Sequence, residues 1–155
     1  YGQLAWKLRQ DDRVINLERT NFRYVTETEI PEPLDFCSVD VSFISLSIIV
    51  PVMRKLMKLG ASAVCLIKPQ FEAGKDKVGK KGVVRDKSVH VEVVTRICDM
   101  LISNGFDING LTYSPVKGPE GNIEYLMYAQ KTKTDILDFS QEIQALVEKS
   151  HIEAK

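Results

Sequence analysis

Residues 61–69, Ala-Ser-Ala-Val-Cys-Leu-Ile-Lys-Pro, constrain the fold more than any other stretch of this chain. An almost unbroken apolar run of this length reads as a strand buried on both faces, as in a parallel sheet. Pro69 has no N–H for a central ladder, so the strand must stop at Lys68. That places an ammonium at the carboxyl end of a parallel strand, the edge where open α/β sheets bind their ligands.

The rest of the chain supplies neighbours for that strand. Leu4, Ala5 and Leu8 give a helical stripe closed by Asp11-Asp12, and Val14, Ile15 and Leu17 read as a short strand ending at Glu18. Residues 20–23 form a turn, and the prolines at 31 and 33 mark a loop. Residues 34–39 form a second strand that ends at Asp40. Ser42 or Ser45 caps a helix through Ile48, Val52, Leu56 and Leu59, with Gly60 as its stop. Residues 69–85 form a long polar loop, of a length that is usually functional or disordered. Asp86 or Ser88 opens an amphipathic helix with Val89, Val93, Ile97 and Leu101 on one face and Gly105 at its end. Residues 106–114 hold a weak strand and residues 123–129 the last one. A terminal helix from Thr134 turns Ile136, Phe139, Ile143 and Leu146 inward. Strands alternating with helices predict a three-layer α/β sheet.

In such a sheet, Asp40 and Lys68 lie on one edge because both end parallel strands. Glu124 instead begins its strand. The short connection 115–122 permits a hairpin, and an antiparallel last strand would bring Glu124 to the same edge. Each residue also has a plainer reading. An acid at a strand end often caps the next helix, a lysine after a strand often points to water, and Glu124 alone reads as a surface residue. The loop residues Lys75, Lys77, Lys80, Lys81 and Arg85 outnumber Glu72 and Asp76, which suits phosphate contacts or a solvated loop.

Composition narrows the alternatives. The 155 residues make one domain with a real core, and 21 basic against 21 acidic residues leave no global field to attract nucleic acid, so a basic footprint must be local. Three cysteines, read as core residues, imply a reducing, cytoplasmic setting without a disulfide framework or zinc spacing. His90 and His151 have no metal-spaced partner. The 74–81 segment fails as a nucleotide P-loop because Lys81 stands where Ser or Thr is needed and no helix opens there. Trp6, Tyr24 and Tyr113 are expected to pack in the core. No apolar run reaches the roughly 18 residues of a membrane span. The opening Tyr1-Gly2-Gln3 reads as the interior of a longer protein.

Residues 1–9 (YGQLAWKLR), 18–23 (ERTNFR), 40–46 (DVSFISL), 67–73 (IKPQFEA), 78–86 (VGKKGVVRD) and 114–126 (SPVKGPEGNIEYL) closely resemble the hemolysin A-type, FtsJ-like ribosomal RNA methyltransferases. The resemblance runs over about residues 1–130. It implies a Rossmann-like S-adenosylmethionine-dependent methyltransferase fold whose last strand is antiparallel and whose first strands, Gly-rich cofactor loop and first catalytic lysine precede this chain. It also implies that the family's small N-terminal RNA-binding domain is absent here, leaving a single truncated catalytic domain over 1–155. Of the family's Lys-Asp-Lys-Glu tetrad, Asp40, Lys68 and Glu124 resemble the last three members. The cofactor's adenosine end is expected against Thr20 and Asn21, with Asn21 where relatives often carry an acid, and Asp40 close to the cofactor.

The implied activity is methyl transfer to a ribose 2′-hydroxyl of ribosomal RNA, free or in a ribosomal subunit, with the basic loop on RNA phosphates. Neighbouring carboxylates favour a charged lysine, so Lys68 is expected to steer the hydroxyl and take its proton late. Two other readings compete: a fragment that binds RNA or a partner without catalysis, and a membrane-damaging hemolysin. No strongly basic amphipathic helix supports the last.

Overall fold

A computed structural model describes residues 4–133 and 140–153. The elements are α1 (Trp6–Arg9), β1 (Leu34–Val39), α2 (Leu46–Leu56), β2 (Met57–Ile67), α3 (Pro69–Glu72), α4 (Lys87–Ser103), β3 (Phe106–Tyr113), β4 (Tyr125–Lys131) and α5 (Ser140–Glu153). The four strands form one sheet in the order β1-β2-β4-β3. β1 and β2 run parallel, and β4 is antiparallel to both β2 and β3. The hairpin expected from the 115–122 connection therefore forms.

The core lies between the sheet and helices α2 and α4, which also touch each other. Val50 and Met53 of α2, Val93, Ile97 and Leu101 of α4, and Ala63, Cys65, Ile67, Met127 and Ala129 of the strands are all buried. β2 alternates strictly here, with Ala61, Ala63, Cys65 and Ile67 facing the helices. Its other face, carrying Val64 and Leu66, is only half-buried. Among the described residues no helix is long and apolar enough to cross a membrane.

Several expectations change in the structure. Residues 14–17 form no strand, and Ile15 and Leu17 are exposed. A strand needs a ladder partner, and the outer edge of β1 has no neighbour among the described residues. α2 stops at Leu56, not at Gly60, because its end is capped from a distance. The buried Lys131 ammonium donates to the carbonyls of Arg54 and Met57 at 2.7 and 2.8 Å. Gly60 instead sits inside β2 at φ +86°, where the β1–β2 register shifts between Leu34 and Phe36. Leu59 is accordingly exposed, and the buried stripe of α2 is Leu46, Ile49, Val50, Met53 and Leu56 rather than Ile48 and Val52.

The 69–85 segment is not plain loop, since it opens with α3 and continues through short 3₁₀ turns at Lys75–Lys77 and Lys80–Gly82. Trp6, Tyr24 and Tyr113 are exposed rather than packed. Leu146 of α5 is exposed too. The expectations for Ile136 and Phe139, and for the Ile143 side chain, fall outside the described residues.

Candidate active site

Two parallel strands and one antiparallel strand deliver the site. Val39 pairs with Cys65, so the next residues beyond β1 and β2, Asp40 and Lys68, emerge on one edge. Ile67 pairs with Tyr125 of β4, which brings Glu124 beside Lys68 in register. The sheet thus gathers three residues far apart in sequence.

Their contacts are unequal. Lys68 Nζ lies 2.5 Å from Asp40 Oδ1 and donates to Ser42 Oγ at 3.3 Å. The lysine side chain is 11% exposed and that of Asp40 70%, so the pair joins a buried stem to an open rim. Glu124 is buried and makes no ion pair with Lys68 among the described residues. Its Oε2 accepts from Gln70 Nε2 at 2.8 Å. The expected lysine between two carboxylates is therefore split into an Asp40–Lys68–Ser42 group and a Glu124–Gln70 group. The cause is α3: Pro69 starts a helical turn straight after Lys68, which swings Gln70 onto Glu124.

Glu72 fixes that turn. Its buried carboxylate accepts from Ser45 Oγ at 2.7 Å and from the Leu46 N–H at 2.8 Å, at the N-terminus of α2, where negative charge is favoured. Arg96 Nη2 of α4 donates to the Glu72 carbonyl at 2.6 Å. Gly118 fixes the other side, because its backbone presses so closely on Glu124 that no side chain fits between them.

Asn122 clasps the loop above. Its Oδ1 accepts from the Val84 N–H at 3.1 Å, and its Nδ2 donates to the carbonyls of Gly82 and Pro119 at 2.9 and 3.0 Å. His90 is structural, as its spacing suggested. Its Nε2 donates to the Val84 carbonyl at 2.8 Å, which leaves Nδ1 to accept from the Tyr125 hydroxyl at 2.9 Å.

Beside Lys68 stands an aromatic pair. Phe43 and Phe71 have ring centroids 4.7 Å apart, and the ammonium lies 5.8 Å from the Phe71 centroid. Phe43 is 88% exposed and sits at φ +63°, a left-handed conformation that costs a bulky residue about 1–3 kcal/mol. Phe43, Gln70, Phe71, Lys75, Lys81 and Asn122 line a cleft of about 550 Å³.

The basic loop divides. Lys75 and Lys81 face this cleft, while Arg85 lines a separate groove with Lys87 and Tyr113 between α4 and β3. Lys77 is held by Glu92 at 2.8 Å, and that bond raises its pKa above the usual lysine range. Lys75, Lys80 and Lys81 have no acidic partner among the described residues.

A second groove, of about 380 Å³, runs along β1. Phe22, Leu34, Val39, Ile49 and Met53 wall it, and Asp40 stands at its rim. Apolar walls with one exposed carboxylate can hold a ligand that packs a ring or aliphatic part against the walls and presents a hydrogen-bond donor or positive charge to the rim. Thr20 and Asn21 do not line this groove; Thr20 Oγ1 donates to the Glu18 carbonyl, and Asn21 Oδ1 accepts from the Arg23 N–H.

Sequence reasoning gave no role to Gln70, Phe43, Gly118 and Asn122, and offered Ser42 only as a helix cap, a place that Ser45 takes. All lie inside the motifs that carry the resemblance, but only register and turn geometry reveal what each one touches.

Comparison with known proteins agrees with this architecture. The chain is 50% identical over 129 residues to YqxC of Bacillus subtilis, provisionally named an rRNA methyltransferase, covering 83% of this chain and 46% of that protein. It is 42% identical over 135 residues to TlyA of Mycobacterium tuberculosis, named a 16S/23S rRNA (cytidine-2′-O)-methyltransferase, covering 87% of this chain and 50% of that protein. A solved structure from Streptococcus thermophilus, provisionally named a hemolysin, superposes with a TM-score of 0.83 at 42% identity, covering 99% of this chain and 56% of that one. The chain thus spans about half the length of the curated relatives it matches. The model of the FtsJ-like methyltransferase family matches residues 1–131, and the chain belongs to that family.

Proposed function

We propose that this chain carries the acceptor side of an active site that transfers a methyl group from S-adenosylmethionine to a ribose 2′-hydroxyl of ribosomal RNA. The observation that carries the reading is the Lys68 side chain, largely covered along its stem, with its ammonium held by Asp40 and Ser42 between the β1 groove and the aromatic cleft. Family membership and relatives named as rRNA methyltransferases support it.

When bound, the cofactor supplies an electrophilic methyl group on a positively charged sulfur. Asp40 would hold its charged end at the groove's rim, with Thr20 and Asn21 nearer the adenosine. Lys68 donates to the 2′-oxygen and orients its lone pair, which is mainly a task of positioning. The hydroxyl proton leaves late, to Lys68, as Lys68 passes one of its own to Asp40 and so toward solvent. Glu124 closes the other side. The exposed ring of Phe43 offers a stacking face for a splayed base. Lys75, Lys80 and Lys81 reach RNA phosphates, with Arg85 and Lys77 farther round.

The test is methyl transfer to ribosomal subunits by the full-length protein. Lys68→Ala lowers kcat by about 10²–10⁴-fold, the usual scale for removing a positioned proton-transfer group. Wild-type turnover by that variant refutes the assignment.

A further inference from the structure

A groove of about 620 Å³ runs between α4 and β3, and methyl transfer at Lys68 gives it nothing to do. Val91, Leu111, Tyr113 and Ile123 wall it and are 66, 50, 68 and 41% exposed. An open apolar cluster with a polar rim marks an interaction surface. Its back wall is fixed, because the Tyr125 hydroxyl donates to His90 Nδ1 at 2.9 Å. The Tyr113 ring stands free beside it.

Charge says what kind of partner fits. Arg85 and Lys87 line the groove and make no ion pair among the described residues. Asp86 between them is occupied, since its Oδ1 accepts from the Ser88 N–H at 2.9 Å and hydroxyl at 2.7 Å. Among the described residues no acid lines this groove or the aromatic cleft. In a chain with 21 basic and 21 acidic residues, two acid-free basic openings form a local polyanion surface. The openings also adjoin. Lys81 and Asn122 line the cleft, and Arg85 and Ile123 line the groove, so the Asn122 clasp is the ridge between them. A nucleic-acid strand crossing that ridge meets cations on both sides and an open aromatic ring beyond. An acidic apolar peptide would match the groove but leave the lysines of the cleft without a partner.

We propose that the α4–β3 groove is a second nucleotide subsite: a base flanking the target stacks on Tyr113, while Arg85 and Lys87 hold the adjoining phosphates. This rests on the reading that the cleft receives the target nucleotide of an RNA strand. Stacking on one ring with phosphate contacts tolerates any base, so the subsite adds affinity without reading sequence.

The experiment measures binding of the full-length protein to a single-stranded RNA of about ten nucleotides, by fluorescence anisotropy over a range of salt. Tyr113→Ala weakens binding about 5- to 150-fold, the scale of one base–aromatic stack. Tyr113→Phe retains the affinity, and Tyr113→Leu, apolar but without a π-face, does not. Arg85→Ala with Lys87→Ala lowers the slope of log affinity against log salt by about 1.4, two phosphate contacts' worth. All three side chains are exposed, so melting temperatures stay at the wild-type value. Wild-type affinity in Tyr113→Ala overturns the inference. So does a Tyr113→Leu protein that binds as well as Tyr113→Phe, which marks the groove as an apolar dock for a peptide. Methyl transfer to ribosomal subunits is read in parallel: a wild type that transfers none overturns the proposed function, whatever Tyr113 does to RNA binding.

Discussion

Gly118→Ala separates the site's geometry from its folding. A Cβ built at Gly118 falls 2.1 Å from Glu124 Oε2 and 2.7 Å from its Cδ, and real Cβ contacts are essentially never under 3.0 Å. The backbone is not the obstacle, since Gly118 has φ −76°, which alanine adopts freely. What must move is the far end of a glutamate side chain, by about 1 Å, and that breaks its bond to Gln70. Losing one charge-assisted hydrogen bond costs about 1–3 kcal/mol. At about 2–4 °C per kcal/mol for a domain of this size, the protein stays folded at assay temperature. Misplacing a catalytic group by about 1 Å costs on the order of 10²-fold in rate. Gly118→Ala in the full-length protein is therefore expected to cut kcat for methyl transfer about 100-fold while thermal melting drops by about 2–12 °C. Made in a Glu124→Ala background, the same change costs almost nothing further, because the group it displaces is gone. A Gly118→Ala enzyme with wild-type kcat, or one whose loss persists in full without Glu124, refutes the argument.

Other outcomes follow from individual contacts. Asn122→Ala leaves the buried Val84 N–H without its partner, at about 1–3 kcal/mol, and removes two part-buried bonds to the Gly82 and Pro119 carbonyls, so urea melts should show a lower midpoint with the slope unchanged. Burial, with a smaller contribution from Cys37, pushes the Cys65 thiol up to about 12 from 9.0. The unfolded thiol ionises first, so stability from this group is full below pH 9 and declines as pH rises toward 12. The loss is about 2 kcal/mol at pH 10.5, and Cys65→Ala, though less stable at neutral pH, lacks that share of the decline. Removing Lys75, Lys80 and Lys81 together lowers the slope of log affinity against log salt for single-stranded RNA by about 2. Lys77→Ala changes it less, because that ammonium is already held by Glu92.

The sequence alone determined the frame. An apolar run ending in lysine and proline specified a central strand and its stop, though one face is only half-buried and β4 pairs with it antiparallel, and the Val89–Leu101 stripe specified α4. Those signals are local, because periodicity and backbone restriction act within a few residues. Asp40 and Lys68 could be assigned to one edge because right-handed crossovers leave little choice of topology. Gly60 misled because a left-handed glycine serves a helix end and a strand bulge equally well. Residues 14–17 misled because alternation describes a strand's face but not whether it has a neighbour. Tertiary structure decided the partners. The antiparallel register of β4 put Glu124 at the site, and the turn after Pro69 paired it with Gln70 instead of Lys68. The approach of the 75–77 turn to α4 drew Lys77 to Glu92, and the left-handed turn before α2 left Phe43 in the open. Such choices depend on which atoms fall within about 3 Å of each other after the sheet closes. That distance is set by segments 15 residues apart for Lys77 and Glu92 and 54 for Gln70 and Glu124, so neither segment carries it alone.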